Sequence, residues 1–182
     1  MRNAQRELKG KWAIAIPTFL IYSLILISLG SIKNVGSIFS LLISGPLLLG
    51  TADFSLAICR DKEARLELIF NGFNRFSVAL TAYLTMVILI ALWSILLIIP
   101  GIIAALSYSQ TFYILNDEPA LTAMEALNKS KALMDGYKLK LFNLYLRLFL
   151  LVLLRILTLG IGFLWFVPYK NVTIAAFYED IK

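Results

Sequence analysis

The stretch FSVALTAYLTMVILIALWSILLII, residues Phe76–Ile99, contains 24 consecutive residues without a charged side chain. A helix of about 20 apolar residues spans the ~30 Å hydrocarbon core of a bilayer. The stretch is rich in Leu and Ile and lacks strand-like alternation, which favours a helix over a strand of a β-barrel. A helical structure embedded in a membrane is therefore expected.

Five further apolar runs predict that this helix belongs to an all-α, polytopic transmembrane bundle. We expect one integral membrane domain over residues 1–182, with six spans arranged as three hairpins joined by cytosolic amphipathic linker helices. The composition agrees, because 60% of the residues are apolar and 15% charged, whereas a soluble domain is about half apolar and a quarter charged. The further runs are Trp12–Leu29, Ile38–Cys59, Ile102–Leu115, Leu141–Leu157 and Gly160–Tyr178.

The run Ile102–Leu115 is short for a full crossing. Its 14 residues extend over ~21 Å as a helix. Either the bilayer thins locally around it, or the hairpin over residues 76–115 does not fully emerge on the outer side.

The distribution of Lys and Arg predicts the orientation, since cytoplasmic connections carry an excess of both. Three connections hold four bases each, whereas the alternate connections hold only Lys33. We therefore expect a bacterial plasma-membrane protein with an uncleaved first span and both termini in the cytoplasm. The net charge of +6 marks that face, and nucleic acid is not an expected partner. The bases are Arg2, Arg6, Lys9 and Lys11; Arg60, Lys62, Arg65 and Arg75; and Lys129, Lys131, Lys138 and Lys140.

A weak repeat relates the three hairpins. Each is preceded by an amphipathic stretch that ends near a glycine, at Gly10, Gly72 and Gly136, where glycine would adopt the left-handed conformation that ends many helices. The return spans end in the polar steps Arg60-Asp61, Asn116-Asp117 and Glu179-Asp180. The alternative is that any six-span protein with cytosolic linkers shows such a pattern.

The third linker is the clearest helix outside the membrane. Asp117 is predicted to cap it and Pro119 to lie in its first turn. Glu125 and Lys129 have the favourable i,i+4 order for an ion pair.

Charged residues within the spans are candidates for a site, because each costs ~2.5–3.5 kcal/mol at the bilayer centre. Asp53, Arg147 and Lys170 fall at similar depths, so Asp53 is predicted to pair with Arg147 or Lys170. The base left over would snorkel to the headgroups or bind an anion such as a lipid phosphate. Arg155, near the outer end of its span, is expected to snorkel outward. Structural pairing and a ligand or ion site both remain open.

The fourth span carries the polar residues Ser107, Gln110 and Thr111. They are predicted either to form hydrogen bonds between helices or to line a polar pathway.

Little catalytic chemistry is available to this chain. It contains no histidine and a single cysteine, Cys59, which removes the commonest general base and any cysteine-pair metal site. The protein is therefore expected not to be an enzyme and to use neither a cofactor nor a metal.

Several motifs together resemble the bacterial integral membrane family called domain of unknown function 975. The resemblance extends over nearly the whole chain, although Tyr137-Lys138 departs from the polar residue that the family often has before this lysine. It implies a multi-pass plasma-membrane protein, mainly of Gram-positive bacteria, and it implies no activity, catalytic residue or cofactor. The motifs are Trp93–Ile102, Ala105–Ser109, Met134–Lys138, Leu159–Trp165, Pro168-Tyr169 and Phe177-Tyr178.

Two functions fit these patterns. The first is a non-catalytic membrane module that binds membrane lipids (anionic ones included), a partner membrane protein, a membrane-active peptide or a second copy of itself. The alternative is a small transporter or channel that uses Asp53, the bases at its level and the proline-containing return helices.

Overall fold

Every regular element in the computed structural model, which describes residues 4–30, 36–156 and 162–182, is helical. The predicted all-α class is confirmed for these residues. A 3₁₀ helix, Leu66–Arg75, lies between α3 and α4. The α-helices in chain order are α1 (Ala4–Glu7), α2 (Trp12–Gly30), α3 (Gly36–Cys59), α4 (Phe76–Leu96), α5 (Ile98–Tyr108), α6 (Thr111–Asp117), α7 (Ala123–Leu133), α8 (Lys138–Ile156) and α9 (Phe163–Ile181).

Three helical stretches of the described chain are long and apolar enough to cross a membrane, so the six predicted spans are not supported. They are Phe39–Cys59, Leu66–Leu96 and Ile98–Asp117. The last has 20 residues because α5 and α6 follow each other closely, so the prediction of a 14-residue return stretch is wrong. The predicted turns of the first and third hairpins fall largely on residues 31–35 and 157–161, outside the described chain.

The second hairpin turns at Leu97, before the predicted connection at Pro100-Gly101. Leu97 is extended, with φ −159° and ψ 141°, and its N–H donates to the carbonyl oxygen of Trp93 at 3.1 Å. Pro100 lies in the first turn of α5, where a missing N–H breaks no helical hydrogen bond. The predicted boundaries at this turn are therefore wrong, because Pro100 is compatible with the first turn of a helix and does not end one.

The three hairpins pack in sequence, each against the next along the chain, and the third packs against the first. Each hairpin has an outer helix (α2, α4 or α8) and a return helix (α3, α5 with α6, or α9). The outer helix of the following hairpin contacts each return helix, since α4 packs on α3, α8 on α5 and α2 on α9. The amphipathic segment before that outer helix does the same, with the 3₁₀ helix on α3, α7 on α5 and α6, and α1 on α9. The packing thus follows the repeat suggested by the sequence.

The glycines that precede the hairpins have two different roles. Gly10 and Gly136 have φ values of 82° and 78°, which confirms the predicted left-handed corners. Gly72 has no such conformation, and a Cβ there would lie 1.9 Å from the carbonyl oxygen of Pro46. A Cβ on Gly50 would likewise lie 1.8 Å from the carbonyl oxygen of Ile69. These glycines let the 3₁₀ helix lie directly against α3.

The third linker helix begins later than predicted. Thr122 caps α7 through a capping box, in which its Oγ1 accepts from the N–H of Glu125 and the Glu125 carboxylate accepts from the N–H of Thr122 at 2.8 Å. The predicted cap at Asp117 is therefore wrong, and so is the Glu125–Lys129 pair. Lys129 instead forms an ion pair with Glu118.

Candidate functional site

The ends of the three return helices meet in one ion-pair cluster. Arg60 follows α3, Asp117 ends α6, and Glu179 lies in the last turn of α9. One Nη of Arg60 lies 2.6 Å from Asp117 Oδ1 and 2.7 Å from Glu179 Oε1. The polar steps that repeat in the sequence are therefore brought together in space.

Two further side chains complete this cluster. Lys182 Nζ lies 2.9 Å from Asp117 Oδ2, and the Tyr178 hydroxyl donates to the same oxygen at 2.9 Å. Burial lowers the pKa of Arg60, but its hydrogen bonds with Asp117 and Glu179 outweigh burial, so the pKa is raised above its ordinary value. The positive charges of the two bases equal the negative charges of the two acids. We infer that the cluster holds these ends of the three hairpins together.

A cavity of about 260 Å³ with several polar lining residues lies between the return helices. It is lined by α3, α4, α5, α6, α8 and α9, so every return helix contributes to its wall. Its polar lining residues are Thr51, Ser109, Tyr113, Tyr145, Lys170 and Asn171.

Lys170 is the charged residue of the described cavity wall. Thr51 and Ser109 donate their hydroxyl hydrogens to backbone carbonyls at 3.0 and 2.7 Å, and the Asn171 amide donates to the Val167 carbonyl at 2.9 Å. In the part of the chain that the structure describes, no Asp or Glu lines the wall, and Lys170 makes no ion pair. Its ammonium offers three hydrogen-bond donors, so the cavity suits an anionic group.

Asp53 has a different environment from the one predicted. Its Oδ2 accepts a hydrogen bond from the Asn71 side-chain amide at 3.0 Å, because the 3₁₀ helix that carries Asn71 lies against α3. No ion pair within the described residues joins Asp53 to Arg147 or Lys170. Asp53 and Arg147 do not line the cavity that contains Lys170.

Arg147 lies on the outer surface of α8. It is exposed, as are Lys140 and Asn143 on the same helix, so the polar stripe of this helix faces away from the cavity. Lys140 Nζ lies 5.5 Å from the centre of the Tyr137 ring, within cation–π distance. The side chain of Arg155 lies outside the described residues.

Ser107, Gln110 and Thr111 lie at the break between α5 and α6. Ser130 of α7 spans this break, since its hydroxyl donates to the Ser107 carbonyl at 2.8 Å and accepts from the Gln110 N–H at 3.2 Å. Thr111 donates its hydroxyl hydrogen to the Tyr108 carbonyl at 2.7 Å. The hydroxyls of Ser107 and Thr111 thus donate to backbone carbonyls, whereas the amide of Gln110 donates to the hydroxyl of Ser109, which lines the cavity.

Of the residues predicted from the sequence, the structure places Lys170 in the candidate site. Sequence reasoning missed Tyr145 and Asn171 as cavity residues and Asn71 as the partner of Asp53. Asn171 directly follows Lys170, so its polarity within an apolar helix was a visible signal. The position of Asn71 had none, because it depends on how closely the 3₁₀ helix approaches α3.

One known protein family matches the second half of the chain. Residues 95–182 match the family described as "Protein of unknown function (DUF975)", which confirms over these residues the resemblance drawn from the sequence motifs. No curated protein and no solved structure matches the chain.

Proposed function

We propose that the protein is a multi-pass protein of the bacterial plasma membrane with both termini in the cytoplasm. The concentration of Lys and Arg in the amino-terminal segment and in two linkers supports this orientation. Large apolar side chains such as Ile88, Leu92 and Leu150 are more than half exposed, and soluble proteins rarely expose large contiguous apolar patches. In this proposal all three hairpins enter the bilayer.

We further propose that the second hairpin turns back before it reaches the outer surface, although both of its helical stretches are long enough to cross. Leu127, at the middle of α7, is fully buried and packs in a cluster with Ala104 and Tyr108, against Met86 and Ile90. A helix as polar as α7 belongs at an interface, whereas a full crossing would place the turn at Leu97 about 30 Å from it. The close packing of α7 on the outer half of α4 therefore supports the alternative that the hairpin does not fully emerge.

Cysteine labelling tests this topology. In a protein carrying Cys59→Ala, a cysteine introduced by Leu97→Cys should not react with a membrane-impermeant maleimide added outside intact cells. Lys33→Cys, in the outer connection predicted from the sequence, should react. Asp61→Cys should react only after permeabilisation. Equal labelling of Leu97→Cys and Lys33→Cys would contradict the proposal for the second hairpin.

The cavity supports a function as a non-catalytic membrane module that binds an anionic group, such as a lipid headgroup, between the return helices. The observation that carries this proposal is Lys170, a base in a described cavity wall without acids, within a bundle rich in apolar side chains. An ammonium in such surroundings is stabilised by a bound anion, because its own hydration is incomplete. A phosphate oxygen would accept its N–H bonds.

Replacing Lys170 by methionine should weaken binding of phosphatidylglycerol by about tenfold or more, since a hydrogen bond to a charged group contributes about 1.5–3 kcal/mol. Native mass spectrometry of the detergent-purified protein, titrated with the lipid, measures this change. Lys62→Met, at an exposed position, removes the same charge and should leave the affinity unchanged. Equal affinities of the Lys170→Met variant and the wild type would contradict the proposal.

The transporter alternative is favoured by one observation, the contribution of every return helix to the cavity wall. Transporters often place substrates between helices with irregular backbone. Anion flux into liposomes that Lys170→Met abolishes would favour this alternative, whereas lipid binding without flux would favour the module.

A further inference from the structure

A second pocket lies beside the turn of the second hairpin, apart from the Lys170 cavity. It has a volume of about 180 Å³ and is lined by α4, α5, α7 and α8. Its lining residues are Trp93, Pro100, Ile103, Ala104, Ser107, Tyr108, Lys131 and Lys138.

The charge of this pocket is positive. Lys131 is exposed and makes no ion pair within the described residues. Lys138 has one acid nearby, as Asp135 Oδ1 lies 3.7 Å from its Nζ. Asp135 is 86% exposed and does not line the pocket. Two ammonium groups are thus available to one bound anion.

The hairpin turn next to the pocket in the chain is apolar and exposed. Trp93 is 47% exposed, and the five residues from Ile95 to Ile99 are each 64% exposed or more. Tryptophan is enriched where hydrocarbon meets headgroups, because its ring is apolar and its N–H is polar. A lipid with an anionic headgroup matches both parts, with its phosphate at the lysines and its acyl chains along the turn.

We infer that Lys131, Lys138 and Trp93 form a binding site for one anionic phospholipid of the cytoplasmic leaflet. The inference rests on the proposed membrane location but not on anion binding at Lys170. A phospholipid is favoured over a soluble anion because it can contact both the two lysines and the exposed apolar turn, whereas a soluble anion would contact only the lysines.

Quenching of Trp93 fluorescence by brominated lipids tests the site. A protein with Trp12→Phe and Trp165→Phe retains Trp93 as the reporter, and it is reconstituted in mixed phosphatidylglycerol and phosphatidylcholine vesicles. The bromine is placed on the acyl chains of one lipid or the other. Each lysine near an anionic surface contributes a factor of about five, so we expect phosphatidylglycerol to be favoured next to Trp93 by about tenfold or more.

The double variant Lys131→Gln, Lys138→Gln should lose this preference, and Lys131→Arg, Lys138→Arg should retain it. The variant Lys9→Gln, Lys62→Gln removes the same charge at exposed positions and should also retain it. Equal quenching by the two brominated lipids, or a preference that survives Lys131→Gln, Lys138→Gln, overturns the inference. An equal loss in the Lys9→Gln, Lys62→Gln variant overturns it too, since net charge would then explain the preference. Lipid binding at Lys170 is measured separately, so either site can fail alone.

Discussion

Replacing Gly50 by alanine should destabilise the folded protein by about 3 kcal/mol, the upper end of the usual cost of overpacking. The added Cβ would lie 1.8 Å from the carbonyl oxygen of Ile69 and 2.8 Å from its Cα. These are backbone atoms, which no side-chain rotation can move away. The 3₁₀ helix would have to separate from α3, and the hydrogen bond from Asn71 to Asp53 would be lost with it. Thermal unfolding in detergent measures the change.

Gly136→Ala provides the matched control. Gly136 has φ 78°, and a Cβ added there would meet no atom within 4 Å beyond its own chain neighbours. Alanine at this position therefore costs only the left-handed conformation, about 1–2 kcal/mol. If Gly50→Ala costs no more than Gly136→Ala, the close contact between the 3₁₀ helix and α3 is wrong.

Arg60→Met should also have a large effect, about 3 kcal/mol of lost stability. The side chains of Asp117 and Glu179 are 16% and 10% exposed, so removing Arg60 leaves two largely buried carboxylates with Lys182 as the remaining base of the cluster. Breaking a buried ion pair by removing one partner is costly for this reason. The loss should appear as a lower midpoint of thermal unfolding.

Arg65→Met is the matched control for Arg60. Arg65 pairs with Glu63, and both side chains are more than 60% exposed, so the loss should be much smaller than that of Arg60→Met. Adding Glu179→Gln to Arg60→Met should restore part of the stability, because one uncompensated charge is removed. Equal effects of Arg60→Met and Arg65→Met would show that the cluster does not join the hairpins.

The sequence predicted the helical class and the repeated polar steps, but it did not predict that these steps meet. Arg60, Asp117 and Glu179 are separated by about 60 residues each along the chain, and periodicity reports only which face of a helix is apolar. Their contact depends on the angles at which the hairpins pack. Asp53 shows the same limit, since its partner Asn71 lies on a predicted amphipathic linker, whose close approach to α3 no local pattern indicates.

The sequence of the third linker contains the pattern of the true helix start, but a second pattern nearby also fits a helix start. Thr122 and Glu125 have the spacing of a capping box, yet Asp117 followed by Pro119 also fits the start of a helix. The structure uses Asp117 for ion pairs with Arg60 and Lys182, so its carboxylate is not the cap. Both Asp117 and Thr122 fit the start of a helix in the sequence. The structure starts α7 after Thr122, while Asp117 forms ion pairs with residues distant in the chain.

The central claim is that Lys170 binds an anionic headgroup in the cavity between the return helices. Solid-state NMR of the protein with ¹⁵N-labelled lysine, in bilayers containing phosphatidylglycerol, measures the dipolar coupling between lysine Nζ and lipid ³¹P. We expect a strong coupling from Lys170, consistent with an N···O distance of about 2.8 Å. The total coupling in the wild type should therefore exceed that in Lys170→Met, which keeps the coupling of Lys131 and Lys138. Identical coupling in the two proteins would contradict the claim.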